Sequence, residues 1–217
     1  MFSTLTVTLI ILLLTCVISF VAFSNEKITN DLIFYPTAVT NQNQWYRFIT
    51  CGFIHADIMH IAFNMYTFYM FGGIVEKAFV EIFYDSGKIL YTILYITSLV
   101  ACLLPTYFKH KDDYYYRSLG ASGAVSAVIF VGIMLYPTMK LEIFPIPVGI
   151  PAFIFGPLYL IVSAYLAKKG RGNINHSAHI WGAIFGIVFF IIACQLLGSF
   201  RPVTNFVNEV SSFISGR

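Results

Sequence analysis

A serine and a histidine, the two residue types of the simplest hydrolytic pair, stand at comparable places in this chain. Ser122 lies between two glycines in Gly120-Ala121-Ser122-Gly123, where a charged loop turns into an uncharged run that reaches Tyr136. A serine so placed falls near a helix N-terminus, where free N–H groups and the positive end of the dipole favour a developing negative charge. His179, in Ser177-Ala178-His179-Ile180-Trp181-Gly182, also begins a long apolar run. A serine hydroxyl is a poor nucleophile until a base takes its proton, and His179 is the candidate base. His60 and Asn64 are spaced i, i+4 and so share one face at the start of a third run. With the Ser122 N–H they are candidate donors to an oxyanion. No Asp or Glu is placed to orient His179, so the pair would work as a Ser–His dyad. Taken alone, small residues around Ser122 fit close helix packing as well as catalysis.

The elements that must position these groups follow from composition. The 217 residues are 58% hydrophobic and only 11% charged, with mean hydropathy +0.78. A soluble domain carries roughly 25% charged residues, so this chain cannot cover a water-facing surface and reads as an all-α, multi-pass membrane protein. Six spans are predicted, at about 5–23, 58–75, 89–108, 119–136, 143–167 and 177–200, followed by a weakly amphipathic tail, 201–217, on the membrane surface. The whole chain is one domain. Pro145, Pro147, Pro151 and Pro157 predict that the fifth span is kinked or irregular. The first loop holds Trp45, Tyr46 and Arg47, a set that prefers the headgroup level. Successive spans alternate direction, so the N-terminal ends of spans two, four and six share one side. His60 and Asn64, Ser122 and His179 therefore converge at similar depth, and that agreement favours chemistry over chance. Gly182 and Gly186, at i+3 and i+7 from His179, give a smooth face that can seat the imidazole against Ser122. The four cysteines lie mostly in apolar runs without metal-ligand spacing and read as small buried hydrophobes. Neither a metal nor another cofactor is expected. The net charge of +3 forms no basic block, which argues against nucleic acid. His110 and His176 read as solvated loop residues.

At this point the sequence resembles the rhomboid family of intramembrane serine proteases. The matching residues are His55-x4-His60-x3-Asn64, Gly72-Gly73-x2-Glu76, Gly120-Ala121-Ser122-Gly123 and Ala178-His179-x2-Gly182-x3-Gly186, with Trp45-x-Arg47 in the first loop. The resemblance implies a six-helix bundle whose water-filled cavity opens to the extracytoplasmic side. It also implies cleavage of single-span substrates near the end of their transmembrane helix, at a small residue beside a helix-destabilising stretch. Ser122 is then the nucleophile and His179 the base. His60, Asn64 and the Ser122 amide form the oxyanion hole, and His55 and Glu76 belong to a supporting polar network. One departure stands out. Four residues after the nucleophile many members carry an aromatic ring that packs on the catalytic histidine; here Ser126 takes that place, which predicts a loosely held His179.

The competing function classes are a rhomboid-like pseudoprotease, which would bind membrane clients uncut, and a small transporter. The first would ordinarily lack Ser122 or His179; the second lacks paired intramembrane acids and an inverted repeat. Oligomeric state is not legible. Two arguments on orientation conflict. The resemblance puts the active-site loops outside the cytoplasm, in the cell membrane or an inner membrane. Those loops hold Lys27, Arg47, Lys109, Lys111, Arg117, Lys168, Lys169 and Arg171, eight cations against five on the other side (Lys77, Lys88, Lys140, Arg201 and Arg217). The positive-inside rule would make the eight cytoplasmic. Cleavage needs water and a substrate's extracytoplasmic segment, so cytoplasmic termini are the expectation.

Overall fold

The computed structural model describes residues 5–143, 146–169 and 174–216. Its elements are helices α1 (Val7–Phe23), α2 (Glu26–Leu32), α3 (Pro36–Gln42), α4 (Arg47–Thr50), α5 (Ile58–Phe83), α6 (Gly87–Ala101), α7 (Leu104–His110) and α8 (Ser122–Leu135). A two-stranded hairpin follows, β1 (Lys140–Ile143) with β2 (Ile146–Pro151), and then α9 (Ala152–Lys169), α10 (His176–Leu197) and α11 (Pro202–Ile214). Among the described residues, three helical stretches are long and apolar enough to cross a membrane: Ile58–His110, Ala152–Lys169 and His176–Leu197. The first is not one rod, because Tyr84 at φ 52° reverses the chain between α5 and α6. Val7–Phe23 and Ser122–Leu135 are apolar but shorter.

Helix α8 is the axis of the molecule. Every residue from Gly123 to Ile133 is buried, against α5, α6, α9 and α10. The side chains around it, among them Phe68, Phe79, Tyr91, Leu94 and Phe190, form the main core. Outward faces are apolar too: Leu13, Val17 and Phe20 of α1 and Leu196 of α10 are well exposed. Such a surface suits hydrocarbon surroundings, where backbone polar groups must be satisfied within the fold, as they are in a helix.

Several expected boundaries move, each for a local reason. α5 runs past the expected end at Val75 to Phe83, because the Glu76 charge is consumed inside the fold. Its carboxylate accepts bonds from Val7 N–H, Thr8 N–H and Thr8 Oγ1–H, all at 2.8 Å, and so caps the start of α1. Gly72 permits that approach, since a Cβ there would meet Thr8 Cγ2 at 2.7 Å. The third span breaks at Cys102-Leu103 because Pro105, in the first turn of α7, has no N–H to continue α6. The expected fifth span is shorter than 143–167: α9 starts at Ala152, and the preceding apolar residues pair as β1 and β2, with Lys140 opposite Pro151. Residues that precede prolines favour extended backbone, which holds for Ile146 and Ile150. Pro157 alone lies within α9; Pro145 and the stretch 170–172, with Arg171, lie outside the described residues, as does Arg217.

The first loop folds as α2 to α4 around Arg47. Trp45 and Tyr46 are exposed as the headgroup reading predicts, but Arg47 is 6% exposed and spans the loop from inside. Its Nη1 donates to Asn30 O (2.8 Å) and Ile33 O (2.7 Å), so it closes the loop and does not face lipid headgroups. The tail is a helix, α11, docked by Asn205 Nδ2 donating to Leu135 O (3.3 Å) and by Phe213 edge-on to Phe153.

Candidate functional site

The N-terminal ends of α5, α8 and α10 meet in one shallow concavity, lined in part by His60, Gly120, Ser122, Gly123 and Asn175. Ser122 is the first residue of α8. The N–H groups of that first turn have no preceding helical carbonyl to bond. His179 lies one turn into α10, which Asn175 starts by accepting from Ala178 N–H (3.1 Å). Asn175 is itself held by Thr106 of α7, at 3.0 Å. In this frame Ser122 Oγ and His179 Nε2 are 2.8 Å apart, the separation at which an imidazole can take a hydroxyl proton.

Two glycines make that distance possible. A Cβ on Gly182 would collide with the carbonyl oxygen of Gly123, and one on Gly186 with that of Ala127. With only hydrogens there, α10 lies backbone to backbone on α8, as small residues allow in membrane helices. Gly123 plays the same part toward α6, where a Cβ would overlap Cys102 Sγ. Gly120 has φ 110° and its N–H donates to Cys51 O (2.9 Å). A Cβ there would lie 2.8 Å from His60 Cε1 and 3.0 Å from His60 Nε2, so the ring packs flush on this backbone.

The tautomers of the flanking histidines follow from their bonds. Ala56 N–H donates to His60 Nδ1 (3.4 Å), so the neutral ring carries its proton on Nε2, the edge beside Gly120. Asp57 caps α5 by accepting from His60 N–H (2.8 Å). Asn64 donates one amide hydrogen to His60 O (3.1 Å), which leaves the other to give. Ser19 spends its single proton on Phe53 O (2.9 Å), so it accepts from His55 Nδ1–H (3.0 Å). His55 stands edge-on to His60, with centroids 4.9 Å apart. Burial, reinforced by His60 and opposed by Asp57, pushes the His55 pKa down to about 3. It is a neutral spacer behind the His60 ring. Its buried Nε2 has no partner among the described residues.

The sequence motifs do not mark the ring that lies on His179. Tyr159 of α9 stacks on the imidazole, with centroids 6.1 Å apart and planes 24° from parallel. Its hydroxyl is 2.7 Å from Ser126 Oγ, and Ser126 Oγ is 2.8 Å from Ser122 O. The expectation of an unsupported His179 therefore fails, because a different helix supplies the ring. The signal was the serine at 126, which leaves space and an acceptor for it. Glu76 is placed away from this concavity, at the start of α1. His176 begins α10, with its ring 5.6 Å from that of His179, and His110 stacks on Tyr116 at 3.9 Å, so neither is simply solvated.

A helical bundle with apolar outer faces, its hydroxyl and imidazole brought together where the helices begin, has the architecture of an integral membrane protein. The chain belongs to the rhomboid family: the family model described as Rhomboid domain matches residues 42–196. It is similar to the mitochondrial RHOMBOID-like protein 12 of Arabidopsis thaliana, with 34% identity over 145 residues, covering 62% of this chain and 42% of that protein. It is 26% identical to the Rhomboid protease GlpG of Haemophilus influenzae over 76% of this chain and 78% of that one. It is also 27% identical to the mitochondrial Presenilin-associated rhomboid-like protein A of Danio rerio, covering 78% of this chain and 43% of that one. The chain thus spans less than half the length of the plant and fish relatives.

Proposed function

We propose that this rhomboid is an intramembrane serine endopeptidase with six crossings, formed by α1, α5, α6 with α7, α8, α9 and α10. The observation that carries the reading is the 2.8 Å approach of Ser122 Oγ to His179 Nε2 at the start of α8. In the first step His179 Nε2 takes the Ser122 proton while Oγ attacks a substrate carbonyl carbon. The negative charge that develops on the carbonyl oxygen is met by the Ser122 N–H, His60 Nε2–H and the free Asn64 amide hydrogen. His179 then passes its proton to the departing nitrogen as the C–N bond breaks, leaving an acyl-serine. Water, deprotonated by the same imidazole, releases the new carboxylate and restores the Ser122 hydroxyl. The substrates are single-span membrane proteins, cut where a small residue lies beside a stretch that unwinds easily.

The test is turnover of a transmembrane model substrate in proteoliposomes, with fluorophosphonate labelling alongside. Wild type should cleave and label, whereas Ser122→Ala and His179→Ala should do neither while staying folded. Cleavage by Ser122→Ala near the wild-type rate would remove the reading. A folded wild-type chain that binds the substrate without cutting or labelling would indicate a client-binding pseudoprotease. We place the catalytic side outside the cytoplasm. In a cysteine-free background, Lys111→Cys should then react with an impermeant thiol reagent on intact cells and Ser86→Cys should not; the reverse labelling would invert the orientation.

A further inference from the structure

The Ser126 proton can go to only one acceptor. A carbonyl oxygen offers no hydrogen, so Ser126 Oγ–H donates to Ser122 O (2.8 Å). The contact with Tyr159 at 2.7 Å must then run the other way, from the phenol O–H to Ser126 Oγ. The tip of the Tyr159 ring is thereby tied to the turn of α8 that carries Ser122, while its face lies on His179. Ser126 is 1% exposed, so an aromatic side chain there and the Tyr159 ring would compete for the same space. Tyr159 differs from a ring on α8 in one respect: it belongs to a lightly seated helix. In α9 only Ala152, Gly156 and Ser163 are buried, and Pro157 removes a backbone bond within it. Gly156, one turn before Tyr159, abuts α8, where a Cβ would touch Ile133 Cδ1 at 3.4 Å and Phe130 Cε1 at 3.5 Å.

We propose that Tyr159 is a positioning residue for His179, and that through it the alignment of this imidazole depends on how α9 sits against α8. This rests on His179 being the base for Ser122. That premise is checked separately, by labelling and cleavage in the wild type and their loss in Ser122→Ala. Tyr159→Leu keeps apolar bulk without a flat face, and Tyr159→Phe keeps the face without the hydroxyl. With the imidazole free to swing out of line, Tyr159→Leu should lose roughly ten- to a hundredfold in kcat with KM nearly unchanged. Tyr159→Phe should stay within a few-fold of wild type. Moving the ring, as Tyr159→Ala with Ser126→Phe, should restore most of the kcat lost in Tyr159→Ala alone. Gly156→Leu, which wedges α9 from α8, should lower kcat several-fold in the native arrangement. It should leave the moved-ring variant unaffected, since that ring no longer travels with α9. The proposal is overturned if folded Tyr159→Leu turns over like wild type, or if Leu and Phe at 159 fall equally. Equal losses from Gly156→Leu in both backgrounds would overturn the dependence on α9. Should the moved-ring variant fail to fold, the Leu-against-Phe comparison decides the role of the ring.

Discussion

Gly120→Ala sets a single methyl group against a ring whose own backbone is pinned. At φ 110° an alanine is strained by about 1–3 kcal/mol. The loop cannot simply rotate, because Gly120 N–H is bonded to Cys51 O. The new Cβ would stand 2.8 Å from His60 Cε1, whereas carbons rest about 3.5 Å apart, so the ring must retreat by about 0.7 Å. His60 cannot carry its backbone along, since its N–H is fixed by Asp57 at the start of α5. The imidazole must swing and take its Nε2–H out of line with the oxyanion of the proposed reaction. A displacement approaching 1 Å costs on the order of a hundredfold, and outright loss of one donor, about 3 kcal/mol, costs as much. Gly120→Ala should therefore fold with a lowered Tm and turn over a transmembrane substrate about a hundredfold more slowly than wild type, with KM little changed. His60→Ala should do the same, and the double variant should be little worse than either, because both act through one group. A Gly120→Ala protein with lowered Tm but kcat within threefold of wild type would refute the reasoning, as would additive losses in the double variant.

Other outcomes follow from the packing and from charge. Gly186→Val sets a branched side chain against the Ala127 backbone, which cannot yield, and should destabilise the protein by about 3 kcal/mol in a denaturant titration; a loss near zero would mean that α8 and α10 are not in contact. Glu76→Gln keeps the shape but removes the charge from the bonds to Val7, Thr8 N–H and Thr8 Oγ1–H. It should cost about 1.5–3 kcal/mol while leaving fluorophosphonate labelling per folded molecule unchanged. His55 has its folded pKa near 3 against an ordinary 6.5, so between those values the unfolded chain binds more protons than the folded one. Its stabilising contribution is complete above pH 6.5 and is lost progressively as pH falls toward 3; at pH 5 the loss is about 2 kcal/mol. His55→Gln should flatten the decline in Tm between pH 7 and pH 5, and an unchanged slope would mean that His55 is already charged in the fold.

Much of the site was legible because its parts announce themselves by position. Ser122, His179, His60 and Asn64 each lie near the start of an apolar run, and alternation of direction brings such starts together. Gly182 and Gly186 were legible as a smooth stripe beside the histidine. Tyr159 was not, since a tyrosine in an apolar run looks like any other core or interfacial ring. Its partner lies 33 residues away, and nothing in either stretch gives that pairing. Arg47 looks interfacial beside Trp45 and Tyr46, whereas its buried acceptors are main-chain carbonyls that no side chain reveals. The start of α9 was obscured by hydropathy, which does not distinguish an apolar hairpin from a helix. The prolines carried the distinction, as the residues before them favour extended backbone.

The tie between Glu76 and α1 bears on the order in which the chain is made. Helix α1 starts with N–H groups whose acceptors lie 68 and 69 residues further on. Until α5 has entered the bilayer, Val7 and Thr8 must find other acceptors, so α1 waits for its own capping group. Glu76 in turn enters the membrane without its donors. Pairing lets each element neutralise what the other exposes, so α1 and α5 are completed together. Everything built later, the concavity at the far end of α5 included, is assembled on a hairpin closed by one carboxylate.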